Sequence, residues 1–181
     1  LHAFFGVVSL FSIPELQRYK PAFRCAKTTR AERTPEAVAA WLRMGERRAQ
    51  KITCSSYNKD RLHALLPTLR SFTLQQPETF QQQLISALAD CGIALVICPH
   101  FSKTMTHGAT FWLGREKAVL MLTIRGKWAD IFWFSLFHEI GHILLHSKQG
   151  VILENNEEDK IEKEADDFAS NTLIPREACT Q

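Results

Sequence analysis

The sequence has no pair of cysteines two residues apart, no internal repeat and no low-complexity segment. Its five cysteines, at 25, 54, 91, 98 and 179, are odd in number, and Cys91 and Cys98 fall in an apolar stretch. That pattern excludes a disulfide framework and suits reduced thiols in an intracellular protein. Net charge is also small. A formal value of +3 is too little to argue nucleic-acid binding for the whole molecule. No apolar run is both long and clean enough to span a bilayer: Ile131 to Leu145 is interrupted by His138, Glu139 and His142. Leu1 to Phe11 is apolar but lacks a basic leader and a small-residue cleavage site, so no signal peptide is expected. Leu1 is not a start methionine, and the chain is expected to be a fragment or a processed product. The expected location is the cytoplasm, with no membrane partner.

What is present is ordinary in bulk and uneven in detail. The 181 residues are 45% hydrophobic and 23% charged, enough for one domain with a sizeable core, or one domain plus a helical arm. From Arg18 to Lys51 ten basic residues face three acidic ones, and from Glu154 to Asp167 eight acids face two lysines. Such runs read as two solvated faces, or else as a basic nucleic-acid arm and an acidic stretch beside a metal.

Thr34-Pro35-Glu36 is a helix start, with Thr as N-cap and Pro at the first helical position. Val38, Trp41, Leu42 and Ala49 follow at helical spacing. A second helix is expected from about Asn58, carrying Leu62, Leu65, Leu66, Leu69 and Phe72, with Pro67 kinking or splitting it. A third opens after Pro77, carries Phe80, Leu84 and Leu88, and stops at Gly92. Ile93 to Cys98 is a continuous apolar run closed by Pro99, which suits a buried strand. Thr110–Leu113 and Ala118–Ile124 around Gly114–Lys117 read as a hairpin. A helix capped by Asp130 runs to about His146 and is apolar all round in its first half. The last helix spans about Asn156 to the residue before Pro175. Helices and strands in separate runs predict an α+β fold. The expected division is a helical, basic linker region over 1–75 and a second region over 76–181.

His138-Glu139-Ile140-Gly141-His142 carries the chemistry. On a helix two histidines four apart share one face, so both rings can reach one Zn²⁺ at about 2.0–2.1 Å. Glu139 is placed to take a proton from water polarised by that ion, as general base. Gly141 weakens the helix, which is tolerable where another helix or a ligand must pass close. Buried charge of this kind without a metal is costly. A third ligand is needed. His146 stands about 12 Å along the helix from His138, so it suits a supporting, substrate-side or helix-end place. His100 and His107 come from an upstream loop. On the last helix the apolar positions Ile161, Ala165, Phe168, Ala169 and Thr172 carry Glu164 inward, while Glu157, Glu162 and Asp166 fall toward solvent by the same count. Glu164 is the expected third ligand. Asp167, three residues on, could support a ligand histidine but reads more simply as a solvated acid. Gly108 to Trp112 is a candidate edge strand for aligning a peptide substrate. His107 at its mouth could steady an oxyanion, or be a plain turn histidine. Tyr19 and Tyr57 lie too far upstream for that role.

His138-Glu-Ile-Gly-His142-Ile-Leu-Leu-His146, with Glu164-Ala-Asp-Asp-Phe-Ala169 and Leu173-Ile-Pro175, resembles the ImmA/IrrE metallopeptidases over about residues 93–175. The resemblance implies zinc held by His138, His142 and Glu164, with Glu139 as general base, and Asp166 fits the Asn or Asp common two residues after the ligand Glu. It implies a gluzincin-like domain, with a small antiparallel or mixed sheet packed on the HExxH helix and a final ligand-bearing helix. It also implies cytoplasmic cleavage of a regulatory protein, commonly a transcriptional repressor. Residues 1–75 resemble the linker that joins such domains to a xenobiotic-response-class helix-turn-helix, of which at most the last helix, around Leu1 to Val8, is present. The leading expectation is a zinc endopeptidase. Its rivals are a transcription-regulator or antitoxin-like module that binds metal or a partner without cleaving, and a purely structural zinc site, which requires four protein ligands. Nucleic acid is a further expected partner, through the basic arm or a longer protein.

Overall fold

The computed structural model describes residues 2–6, 12, 34–99, 101–104, 106–123, 129–146, 151–153 and 159–174. The expectations placed on His100, Tyr19, residues 18–33, residues 154–158 and Pro175 lie outside the described residues. Among the described residues the order is α1 (His2–Phe5), α2 (Pro35–Ala49), α3 (Lys59–Ser71), a 3-10 turn (Phe72–Leu74) and α4 (Pro77–Asp90). There follow β1 (Ile93–Cys98), β2 (Gly108–Leu113), β3 (Lys117–Thr123), α5 (Ala129–Leu145), β4 (Val151–Leu153) and α6 (Asp159–Leu173). The fold is α+β. The four strands form one mixed sheet in the order β1-β3-β2-β4, with β1 parallel to β3 and the other pairings antiparallel.

Helix boundaries follow their local chemistry. Pro35 opens α2, and the Asn58 side chain accepts the Arg61 N–H at 2.8 Å to cap α3. Gly92 ends α4 at φ +85°, and a Cβ there would overlap the Tyr57 backbone. Of the two outcomes expected at Pro67, a kink or a split, the split does not occur: α3 runs through it. Pro67 and His63, whose carbonyl loses its partner, are both exposed, so water can take up the orphaned acceptor.

Strand alternation sorts the core into two faces. Ala94, Val96 and Cys98 of β1, Ala109 and Phe111 of β2, and Val119 and Met121 of β3 meet Val38, Trp41, Leu42 and Ala49 of α2. Gly45 lets α2 close on the sheet, since a Cβ there would overlap the Met121 sulfur. On the other face Ile93, Leu95, Ala118, Leu120 and Leu122 pack under α5 through Leu136, Phe137 and Ile140, joined by apolar residues of α3 and α4. Residues 35–74 thus share both cores with the strands, and packing is continuous across residue 75. The pleat also turns Gly108 and Thr110 toward α5, and this positions the site.

No helix among the described residues is long and apolar enough to cross a membrane.

Candidate metal centre

α5 buries its polar trio as deeply as its apolar residues: His138, Glu139 and His142 are 3%, 1% and 1% exposed. Their partners come from two other elements. From β2, the Thr110 hydroxyl donates to Glu139 Oε2 at 2.5 Å, and Gly108 packs so closely that a Cβ would overlap Glu139 Oε1. From α6 come the acids. α5 and α6 approach closely because Gly141 faces Ala165 and Phe168, with a Cβ at 141 only 3.1 Å from the Phe168 ring and 3.3 Å from Ala165 Cα. This is the close helix passage that a glycine inside α5 suggested.

The Nε2 atoms of His138 and His142 stand 2.9 Å apart. Glu162 completes the group, with Oε2 3.3 Å from His138 Nε2 and Oε1 3.6 Å from His142 Nε2. Two donors bound tetrahedrally to one zinc at 2.0–2.1 Å lie about 3.3 Å apart, so the spacing fits a single ion. Each ring is held from behind. His138 Nδ1 meets Asp166 Oδ1 at 2.8 Å, and His142 Nδ1 meets His146 Nδ1 at 2.9 Å, whose Nε2 reaches Glu164 Oε2 at 3.3 Å. A consistent tautomer set puts a proton on Nδ1 of both α5 rings, so that two Nε2 lone pairs face each other and the carboxylate. A cation between them removes that repulsion, and His138, His142 and Glu162 form a candidate metal-binding group.

Electrostatics agree. Burial raises the Glu162 carboxyl, but with His138 and His142 protonated their hydrogen bonds and charge outweigh it and set the pKa at about 2. The carboxylate thus demands positive charge on the Nε2 side, from ring protons or from a cation in their place. Burial, and then the neighbouring His142, push His146 below the ordinary imidazole value, against the opposing pull of Glu164 and Glu162. As a neutral ring His146 can accept from His142 and donate to Glu164.

The expected residues divide. His138, His142 and Glu139 come together with Glu162, whereas Glu164, 44% exposed at its side chain, sits behind His146 and pairs with Lys160 at 3.7 Å. The helix phase expected for α6 is corrected here. Its fully buried line is Ala165 and Ala169, small residues that let the backbones touch. Glu162 lies one turn before Ala165 on the flank toward the histidines, and Asp166 extends that flank. Weighting the larger Ile161 and Phe168 turned the count toward Glu164. The missed signal was the i, i+4 pair Glu162 and Asp166, which repeats the spacing of His138 and His142. Thr110 and Gly108 were missed as supports of Glu139, for they reach it only through strand alternation.

Asp167 is exposed, with its carbonyl accepting from Asn171. His107 is half-buried at the start of β2, its carbonyl accepting the Thr123 N–H at 2.7 Å. The expected edge strand is not an edge. β4 pairs with β2 through Ala109↔Leu153, Thr110↔Ile152 and Phe111↔Val151, because the chain after α5 returns to the sheet. Of the basic run, Arg43 pairs with Glu46 at 2.6 Å, Arg47 lies over the Phe4 ring and Arg48 donates to the Ile97 carbonyl at 3.2 Å.

Residues 92–181 match the family model Peptidase_M78, described as the IrrE N-terminal-like domain. The match supports the ImmA/IrrE family for this part of the chain and points to a metallopeptidase. No curated protein matches the chain.

Proposed function

We propose, taking residues 92–181 as an IrrE N-terminal-like peptidase domain, that this protein is a zinc-dependent endopeptidase acting on a cytoplasmic regulatory protein such as a transcriptional repressor. The observation that carries the chemistry is the convergence of His138 Nε2, His142 Nε2 and the Glu162 carboxylate within 4.8 Å of one another, each histidine oriented from behind. These three residues hold the ion. When bound, zinc supplies Lewis acidity and makes water a competent nucleophile near neutral pH. Glu139 lies beside the group without joining it. Thr110 fixes its Oε2, and its carboxylate takes the proton of the attacking water and passes it to the leaving amine. Asp166 and His146 keep the ligand rings in the tautomer that presents Nε2.

A buried general base held by a dedicated hydroxyl favours cleavage over a module that only binds metal. Elemental analysis should find about one zinc per chain in the native protein and a clear loss in His142→Ala. Equal zinc in both would sink the ligand set. A screen of cellular regulators as substrates should show cleavage by the native protein and none by Glu139→Gln at unchanged zinc content. Equal cutting by both would place the cleavage elsewhere, and no cutting by either would favour the non-cleaving regulator module.

A further inference from the structure

An open cleft of roughly 790 Å³ lies at the N-terminal end of α5, in the size range of small-molecule and side-chain binding sites. Its walls include Thr73, His107, Ile131, Phe134, Ser135 and Ile174. Exposed large apolar side chains are few among the described residues: Leu74, Ile131, Phe134, Leu145 and Ile174. Three of these five, Ile131, Phe134 and Ile174, line this one cleft, and Leu74 is the neighbour of its wall residue Thr73. Scattered apolar residues need no explanation, but gathered around one concavity they mark a binding surface.

The cleft adjoins the metal centre along two elements. Phe134 stands one helical turn, about 6 Å, before His138, and its ring lies 6.3 Å from the His138 ring. His107 directly precedes Gly108, the residue packed against Glu139. A peptide residue held at the metal therefore needs to extend only a side-chain length along α5 to enter it. The wall chemistry also selects. Ile131, Phe134 and Ile174 are its exposed apolar groups and Trp133 is buried behind them. The exposed Asp130 is the one carboxylate in the wall, which disfavours an acidic side chain, and no lysine or arginine is among the wall residues described.

We infer that this cleft is the specificity subsite of the proposed peptidase, taking a bulky uncharged apolar side chain of the residue flanking the scissile bond. The inference rests on the proposed metallopeptidase function. It assigns Ile131, Phe134 and Ile174 to substrate selection. None of them holds the metal or moves a proton.

The test uses hydroxamates on the zinc-loaded chain, because a hydroxamate anchors to zinc whatever side chain it bears. Binding of acetohydroxamate, an isobutyl-bearing, a benzyl-bearing and a carboxymethyl-bearing hydroxamate is measured by calorimetry and by Trp133-dependent fluorescence. The isobutyl and benzyl compounds should bind about tenfold or more tightly than acetohydroxamate, as expected for burying several CH₂ groups, and the carboxymethyl compound should gain nothing. Ile131→Asp and Ile174→Asp, both at exposed positions, should erase most of that gain, with zinc content and thermal unfolding measured in each variant. If acetohydroxamate binds and the apolar compounds bind no tighter, the subsite is overturned while the metal site stands. If the apolar gain survives both substitutions, the cleft assignment is overturned. If acetohydroxamate itself does not bind, the metallopeptidase function fails and the subsite with it.

Discussion

The two helices that sandwich the sheet both bury a glutamate, and they treat it in opposite ways. On α2, Glu46 is 7% exposed and is neutralised one turn away on its own helix by Arg43, at 2.6 Å. On α5, Glu139 is 1% exposed and is held from a different element, by Thr110 of β2. The same holds for the neighbouring rings, which draw Glu162 and Asp166 from α6. Burial of charge therefore does not separate the structural helix from the functional one. What differs between them, among the contacts named above, is the origin of the partner. A partner one turn away on the same helix helps make a buried charge tolerable. Partners converging from three elements fix a geometry, and fixed geometry around titratable groups is what catalysis requires.

The contrast can be broken most directly at the two glutamates' functional consequences. Glu139→Gln should lower cleavage of a responsive substrate by about 10²–10⁴-fold while zinc content, read by elemental analysis, stays at the native level. The second largest effect belongs to the other helix. Trp41 is fully buried against the sheet, so Trp41→Ala should cost about 3–5 kcal/mol in denaturant unfolding. Zinc affinity measured on the folded fraction should stay near native, because α2 contributes nothing to the donor group.

Within the acidic stretch the comparison becomes finer. Glu162→Gln should weaken zinc binding by tenfold or more in chelator competition, since a neutral amide replaces a carboxylate donor. Glu164→Gln reaches the group only through His146 and should weaken it less. The reverse ranking would restore the phase expected from the large apolar residues of α6. The smallest effect should come from Glu46→Gln. It removes an i, i+3 ion pair at the edge of burial, and under about 1 kcal/mol of stability is expected to go, with no change in zinc.

How much of this was legible beforehand depended on the range of the interaction. Pro35 at the start of α2, Gly92 after α4 and the continuous apolar run Ile93–Cys98 are local signals, and each appears where its chemistry put it, whereas Thr34 holds the N-cap position without a side-chain hydrogen bond. The HExxH pair is local too, because four residues on one helix fix their own spacing. The identity of the carboxylate opposite it is not local. It depends on which flank of α6 faces α5, and two alanines opposite a glycine decided that, not the bulkier side chains that dominate a hydrophobicity count. The edge strand failed for a similar reason. Whether Gly108–Leu113 lies at an edge depends on where the chain goes forty residues later, and three residues of β4 suffice to cover it.

Gly141 packs against Ala165, with the histidines one turn apart on one helix and Glu162 and Asp166 one turn apart on the other, so a cation held by His138, His142 and Glu162 would tie α5 to α6. A bound cation joins two segments separated in the chain by β4, so occupancy and folding are thermodynamically linked. At a free zinc concentration a hundredfold above Kd, the folded form gains about 2.7 kcal/mol. The protein's lifetime against unfolding and proteolysis should accordingly follow the zinc available to it. Hydrogen exchange along α6 should slow on zinc addition and quicken on chelation.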